Sequence, residues 1–119
     1  DLLLYLSDKY KIFTASNGIY KMQENRLKKS NLDKYFDKIF VSDKIGFEKP
    51  DKKFFQKIMD LTKFSNDDLI MIGDSIKSDI IGAKNSKIKS IYLNKEDKKI
   101  SDKNFTYQVK NLSEIKKIL

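Results

Sequence analysis

The run Leu69-Ile70-Met71-Ile72, closed by Gly73-Asp74, limits the fold of this chain more than any other feature. A half-exposed strand alternates apolar and polar side chains, whereas an uninterrupted apolar tetrad needs cover on both faces, as in a parallel sheet flanked by helices. The rest of the pattern agrees. Lys11 to Ser16 alternates β-branched and aromatic residues as a strand does, Asn17-Gly18 stops it, and Ile19, Met22 and Leu27 recur at roughly helical spacing through Lys29. A short strand is predicted over Ile39 to Ser42, then a helix opened by Lys49-Pro50 with Phe54, Phe55, Ile58 and Met59 on its buried side. Ile80, Ile81 and Ala83 mark a helix after Gly73-Asp74. Ser90 to Leu93 and Thr106 to Val109 read as two further strands, and Leu112 to Leu119 as a closing helix. Strands alternating with helices at this spacing predict an α/β fold with a mostly parallel sheet. The polar stretch Asn94 to Asn104 is too short to divide domains, so the 119 residues are read as one.

Composition decides the chemistry by what it lacks. Without His or Cys, the chain has no Ser-His-Asp triad, no thiol nucleophile, no disulfide and no Cys/His zinc site. Catalysis must come from carboxylates, lysines, hydroxyls and backbone groups, and carboxylate sites favour hard cations, with Mg²⁺ the first choice. The net charge of +8 raises the question of nucleic acid. Arg26 is the only arginine, though, and the lysines are scattered among Asp and Glu along every segment, which argues for solvated helix faces and against a nucleic-acid partner. No apolar run approaches the roughly 20 residues of a membrane span, and lack of Cys predicts a cytoplasmic protein. The chain opens at Asp1 and runs at once into Leu2-Leu3-Leu4-Tyr5-Leu6, which reads as the middle of a helix and predicts polypeptide upstream.

In an open parallel sheet, ligands bind at the carboxyl ends of the strands. The residues there are Ser16-Asn17-Gly18, the Asp43 to Lys49 loop, and Gly73-Asp74-Ser75. A hydroxyl beside backbone N–H groups, a lysine at a helix start and a carboxylate behind a glycine together suit a phosphate and a divalent cation. Singly, each also has a plain structural explanation. Ser16-Asn17-Gly18 is turn chemistry, Lys49 is one lysine among many, Asp74 is a helix N-cap, and Asp79 is a first-turn carboxylate favoured by the helix dipole.

In combination, Ile12-Phe13-Thr14-Ala15-Ser16-Asn17-Gly18, Gly46-Phe47-Glu48-Lys49-Pro50 and Met71-Ile72-Gly73-Asp74-Ser75-Ile76-Lys77-Ser78-Asp79 resemble motifs II, III and IV of the haloacid dehalogenase (HAD) superfamily. The intervals of 33, 25 and 5 residues from Ser16 to Lys49 to Asp74 to Asp79 are in keeping with it. The resemblance implies a Rossmann-like three-layer α/β/α core, of which residues 1–119 are a part. It implies that Ser16, with the Asn17 and Gly18 N–H groups, binds a phosphoryl group and that Lys49 offsets the charge on nucleophile and phosphoryl. Asp74 is then a Mg²⁺ ligand, and Asp79 its neighbour, ligating through water or orienting the loop, while Ser75 fixes that loop. The family's motif I, an Asp-x-Asp carrying nucleophile and general acid, is nowhere in these residues, and neither is the cap that follows it.

Within the superfamily the motifs look closest to the nucleoside 5′-monophosphatase subgroup, which implies a parent protein hydrolysing small phosphomonoesters through an aspartyl-phosphate. This chain alone is expected to be inactive. Dehalogenation proper needs no metal and no Gly-Asp-x-x-x-x-Asp pair. A receiver domain places its acidic cluster ahead of the hydroxyl and lysine, opposite to the order Ser16, Lys49, Asp74. The alternative from another class is a non-catalytic phosphate- or nucleic-acid-binding module. The family's sheet order places the motif I strand between the strands ending at Ser16 and Ile72. Each buried group left unpaired there costs about 1–3 kcal/mol. The gap is therefore expected to close, either by direct pairing of Lys11–Ser16 with Leu69–Ile72 or by a segment from a second copy or a retained N-terminal fragment.

Overall fold

The computed structural model describes residues 2–101 and 103–119; Asp1 and Asp102, at the start and within the two stretches Asp1–Leu6 and Asn94–Asn104, lie outside them. The elements run α1 (Leu2–Ser7), β1 (Phe13–Ser16), α2 (Tyr20–Lys29), β2 (Lys38–Val41), α3 (Ser42–Ile45), α4 (Lys52–Thr62), β3 (Ile70–Gly73), α5 (Ile81–Asn85), β4 (Lys89–Leu93) and β5 (Tyr107–Val109). A wide π turn over Ile76–Ile80 leads into α5, and Leu112–Lys117 closes the chain as a 3₁₀ helix. Every strand pair is parallel, as the alternation of strands and helices predicts. Among the described residues no helix is long and apolar enough to cross a membrane.

Two buried clusters show why the apolar tetrad has no polar alternation. Leu69 and Met71 pack with Phe13 and Ala15 against a cluster of Phe40, Ile45, Phe54, Phe55, Ile58, Ala83 and Ile88. Ile70 and Ile72 face the other way, onto Ile91, Leu93, Val109 and Ile115, with Leu2 and Ile118 behind them. β3 is thus covered by α3, α4 and α5 on one face and by α1 and the closing helix on the other, which makes three layers. Asp51, whose side chain accepts from the Lys53 N–H at 2.9 Å, caps α4, so that helix starts two residues after Pro50. On its buried side Phe54, Phe55 and Ile58 are enclosed, and Met59 only partly.

Gly82 is where α5 meets α4. A Cβ there would lie 2.6 Å from Phe55 Cε2 and 3.2 Å from Pro50 Cα, and Phe55 is itself buried. Gly82→Ala is expected to cost about 1–3 kcal/mol through overpacking. Thermal denaturation of the variant beside the parent checks this, and an unchanged melting temperature would contradict it.

The strands do not form one sheet. β1 and β2 pair in the register Phe13↔Lys38 to Ser16↔Val41, and β3, β4 and β5 form a separate three-stranded sheet in that order. Direct pairing of β1 with β3, one of the two expected ways of closing the gap, does not occur. Between them lies a cavity of about 550 Å³, lined by Phe13, Thr14 and Ala15 from one side and by Leu69 to Ile72 from the other. The helices explain why the edges stay apart. Phe13, Ala15, Leu69 and Met71 all rest on one cluster built on α3, α4 and α5, and they do so with the two strand edges unpaired. Inside the cavity the Thr14 hydroxyl is buried and has no hydrogen-bond partner among the described residues.

Candidate active site

Both ends of the β1–β2 pair are pinned by side chains. At the start, the Ile12 N–H donates to Asp37 Oδ2 and the Asp37 N–H returns a bond to the Ile12 carbonyl, each at 2.7 Å. At the carboxyl end the Gly18 N–H donates to Ser42 Oγ at 2.8 Å, and the Tyr20 N–H donates to Asp43 Oδ1 at 2.9 Å. Gly18, at φ +150°, has open space where a side chain would be. Its N–H was expected to serve a phosphate; here it is given to Ser42. Ser16 sits half-buried at the last position of β1, and its hydroxyl makes no bond with any described residue.

Asn17 spends its carboxamide on Lys49. Its Nδ2 donates to the Lys49 carbonyl at 2.9 Å, and its Oδ1 accepts from the Lys49 N–H at 2.8 Å. Lys49, joined to Pro50 by a cis peptide bond, then sends its side chain inward, where Nζ meets Asp79 Oδ1 at 2.5 Å. The two side chains are only 9% and 8% exposed, so this is a buried ion pair in which each charge replaces the other's lost hydration. Asp79 gains two more donors, the Ser75 N–H at 3.3 Å and the Ser78 hydroxyl at 3.5 Å. Ser75 holds the loop from the other side, its hydroxyl accepting from the Ser78 N–H at 3.2 Å.

Asp79 reaches Lys49 because the turn before α5 is wide and because residue 73 is glycine. The Ile80 N–H reaches the Ser75 carbonyl at 3.1 Å, the signature of a π turn. A Cβ on Gly73 would lie 2.5 Å from Asp79 Cβ and Cγ, so any larger residue would drive the carboxylate from its place. Asp74, the next residue, is exposed and makes no hydrogen bond or ion pair with any described residue.

The structure therefore joins Asn17, Lys49, Ser75 and Asp79 into one bonded set beyond the carboxyl ends of the strands, with Ser16 and Asp74 at the ends of β1 and β3. Ser42 and Asp43 tie down the loop after β1; Asp43 opens the Asp43 to Lys49 loop expected at the strand ends, whereas Ser42 is expected only as the last strand residue, and their partners lie 24 and 23 residues away. Among the described residues no group of three or more carboxylates converges. Asp79 is committed to Lys49, so Asp74 is the carboxylate left free for a cation. Such a donor fits Mg²⁺ as one member of a larger set.

A family model described as haloacid dehalogenase-like hydrolase matches residues 1–93. Pyrimidine 5′-nucleotidase PynA of Streptococcus pneumoniae is 40% identical over 96 residues, covering 79% of this chain and 40% of that protein. The HAD-hydrolase YfnB of Bacillus subtilis is 31% identical over 121 residues, covering 100% of this chain and 52% of its own length. A crystal structure of YfnB bound to magnesium superposes on the whole chain with a TM-score of 0.92 and covers 53% of that structure. A dehalogenase at 24% identity also reaches a TM-score of 0.92, which bears on the fold alone. The chain spans about half the length of the curated relatives it matches. With the motif order Ser16, Lys49, Asp74, the parallel three-layer fold and a match over most of its residues, this chain belongs to the haloacid dehalogenase-like hydrolases.

Proposed function

We propose that the whole protein is a cytoplasmic, Mg²⁺-dependent phosphatase of small phosphomonoesters, nucleoside 5′-monophosphates among them, and that residues 1–119 are part of its core. The observation that carries this reading is the site itself: a free hydroxyl, a buried lysine and a free carboxylate stand at the carboxyl ends of β1 and β3, two parallel strands whose facing edges are unpaired. PynA and the pyrimidine 5′-nucleotidase YjjG of Escherichia coli, 34% identical over 87 residues, support the nucleotide. The glyceraldehyde 3-phosphate phosphatase of Methanothermobacter thermautotrophicus, 31% identical over 87 residues, supports phosphomonoesters more broadly.

In this reading the cavity between β1 and β3 receives a strand from the protein's own N-terminal region, which carries the nucleophilic aspartate. Ser16 donates its hydroxyl to a phosphoryl oxygen, assisted by the Asn17 N–H. Lys49, already balanced by Asp79, offers its remaining N–H bonds to the nucleophile and the equatorial oxygens, whose charge grows in the transition state. Asp74 holds Mg²⁺, which supplies Lewis-acid neutralisation of phosphoryl charge, and Ser75 and Asp79 orient the Asp74 loop. A binding module without catalysis is the competing reading, and the free Ser16 hydroxyl would serve it equally.

Turnover separates the two. The full-length protein with Mg²⁺ is expected to release phosphate from p-nitrophenyl phosphate and from nucleoside monophosphates. Asp74→Asn is expected to lower kcat by roughly 10²-fold or more, in line with loss of a preorganised charge in the site. No release by the full-length protein on any phosphomonoester tried would leave the binding module. Residues 1–119 by themselves are expected to hold Mg²⁺ weakly, with Kd on the order of 1 mM or poorer, because Mg²⁺ keeps its waters unless several carboxylates converge. Titration calorimetry reporting a micromolar Kd would contradict that.

A further inference from the structure

We infer that Asn17 is a positioning residue for Lys49: its carboxamide grips both polar groups of the Lys49 backbone and so fixes where the lysine's ammonium stands. The inference rests on the phosphatase reading for its kinetic consequence, and on geometry alone for the rest. Asn17 and Lys49 are 32 residues apart, in loops that leave β1 and enter α4. A primary amide has one face that both accepts and donates, and here that face matches the N–H and C=O of Lys49 at 2.8 and 2.9 Å, as a neighbouring strand would. Two simultaneous bonds remove translation and most rotation of that residue's backbone, which a single bond cannot do.

The position matters because of what Lys49 has to span. Its backbone lies in the loop before α4, and its partner Asp79 belongs to the π turn after β3. A lysine side chain has four rotatable methylenes and gives up much rotamer freedom when held in one place, so a wandering backbone would multiply the ways it can miss. With the backbone gripped by Asn17, the ammonium is 2.5 Å from Asp79 and the pair is buried. Neither of the other two loop contacts can substitute. Gly18 is bonded to Ser42, and Tyr20 to Asp43, and both serve the β1–α2 connection. Asn17 is itself exposed, so its conservation of geometry comes from the two bonds and not from enclosure.

The experiment uses the full-length protein and two substitutions, Asn17→Ala, which removes both bonds, and Asn17→Asp, which keeps the acceptor for the Lys49 N–H and removes the donor to its carbonyl. Brief labelling with acetic anhydride, read peptide by peptide in a mass spectrometer, reports how often each lysine is accessible. Local opening is expected to raise labelling of Lys49 at least about fivefold in Asn17→Ala and less in Asn17→Asp. Lys84, whose ammonium is bonded to Asn104 elsewhere on the surface, is expected to stay unchanged. On p-nitrophenyl phosphate with Mg²⁺, kcat is expected to fall roughly tenfold in Asn17→Ala with KM within about twofold, as misplacement of a transition-state charge does. Unchanged Lys49 labelling in Asn17→Ala overturns the inference. So does a rise shared equally by Lys84, which reports general loosening. Selective labelling of Lys49 in a full-length protein that hydrolyses nothing supports the grip and overturns the phosphatase reading instead.

Discussion

Lys49→Met is expected to lower the folding free energy by about 3–5 kcal/mol, the range found when one partner of a buried ion pair is removed and the other is left uncompensated. Asp79 would remain beneath the sheet end, 8% exposed, with only the Ser75 N–H and the Ser78 hydroxyl as donors. Two neutral donors do not replace the hydration of a carboxylate plus an ammonium at 2.5 Å. Since a domain of this size has some 5–15 kcal/mol of stability in total, the substitution removes a large share of it. The effect belongs to the unpaired charge, which a second substitution can expose. Lys49→Met combined with Asp79→Leu is expected to recover most of the loss, because both charges then vanish together. Urea denaturation of the two variants beside the parent, at unchanged m, is the measurement. A loss under about 1 kcal/mol in Lys49→Met would show that Asp79 reaches water without it.

The other large effect is on turnover, and it is all or none. Residues 1–119 are expected to hydrolyse neither p-nitrophenyl phosphate nor nucleoside monophosphates with Mg²⁺ present, whereas the full-length protein turns them over. In the proposed mechanism Ser16 and Lys49 bind the phosphoryl group and Asp74 serves the cation, while Asp79 is locked to Lys49, so none of them is left to attack phosphorus. Removal of a nucleophile from a site that acts as a unit leaves little to measure. Phosphate release by the purified 119-residue chain, abolished by Asp74→Asn, would show that the nucleophile is within it and that the cavity between β1 and β3 has another purpose.

Much of this was legible because it is local. The tetrad Leu69 to Ile72 declared a strand with two covered faces, and the structure divides its odd and even members between two clusters. Glycine 73 before Asp74 marked the sheet end, although the reason for that glycine, the body of Asp79, is a tertiary fact. The closing segment, expected as a helix over Leu112 to Leu119, forms a 3₁₀ helix over Leu112–Lys117 capped by Asn111. The strand predicted to end at Ser42 ends at Val41, where Ser42 turns into α3 and offers its hydroxyl to Gly18. The gap between β1 and β3 follows from the expected place of the motif I strand, whereas its staying open does not. Phe13 and Ala15 share a cluster with Phe54 and Phe55 of α4, a contact between residues far apart along the chain that no local pattern marks.

Those parted edges have a consequence for how the chain behaves among copies of itself. A strand with unpaired N–H and C=O groups and apolar neighbours is a template for any extended segment it meets, including the same strand of another molecule. Lys9, Lys11 and Asp68 stand at the rim of the opening between β1 and β3, and the chain as a whole carries +8. The net positive charge of the chain acts as a gatekeeper: it leaves the edge able to accept its proper strand while repelling copies that arrive edge first. Aggregation of the 119-residue chain should accordingly be governed by ionic strength, slow in dilute buffer and rapid once salt shortens the reach of its lysines.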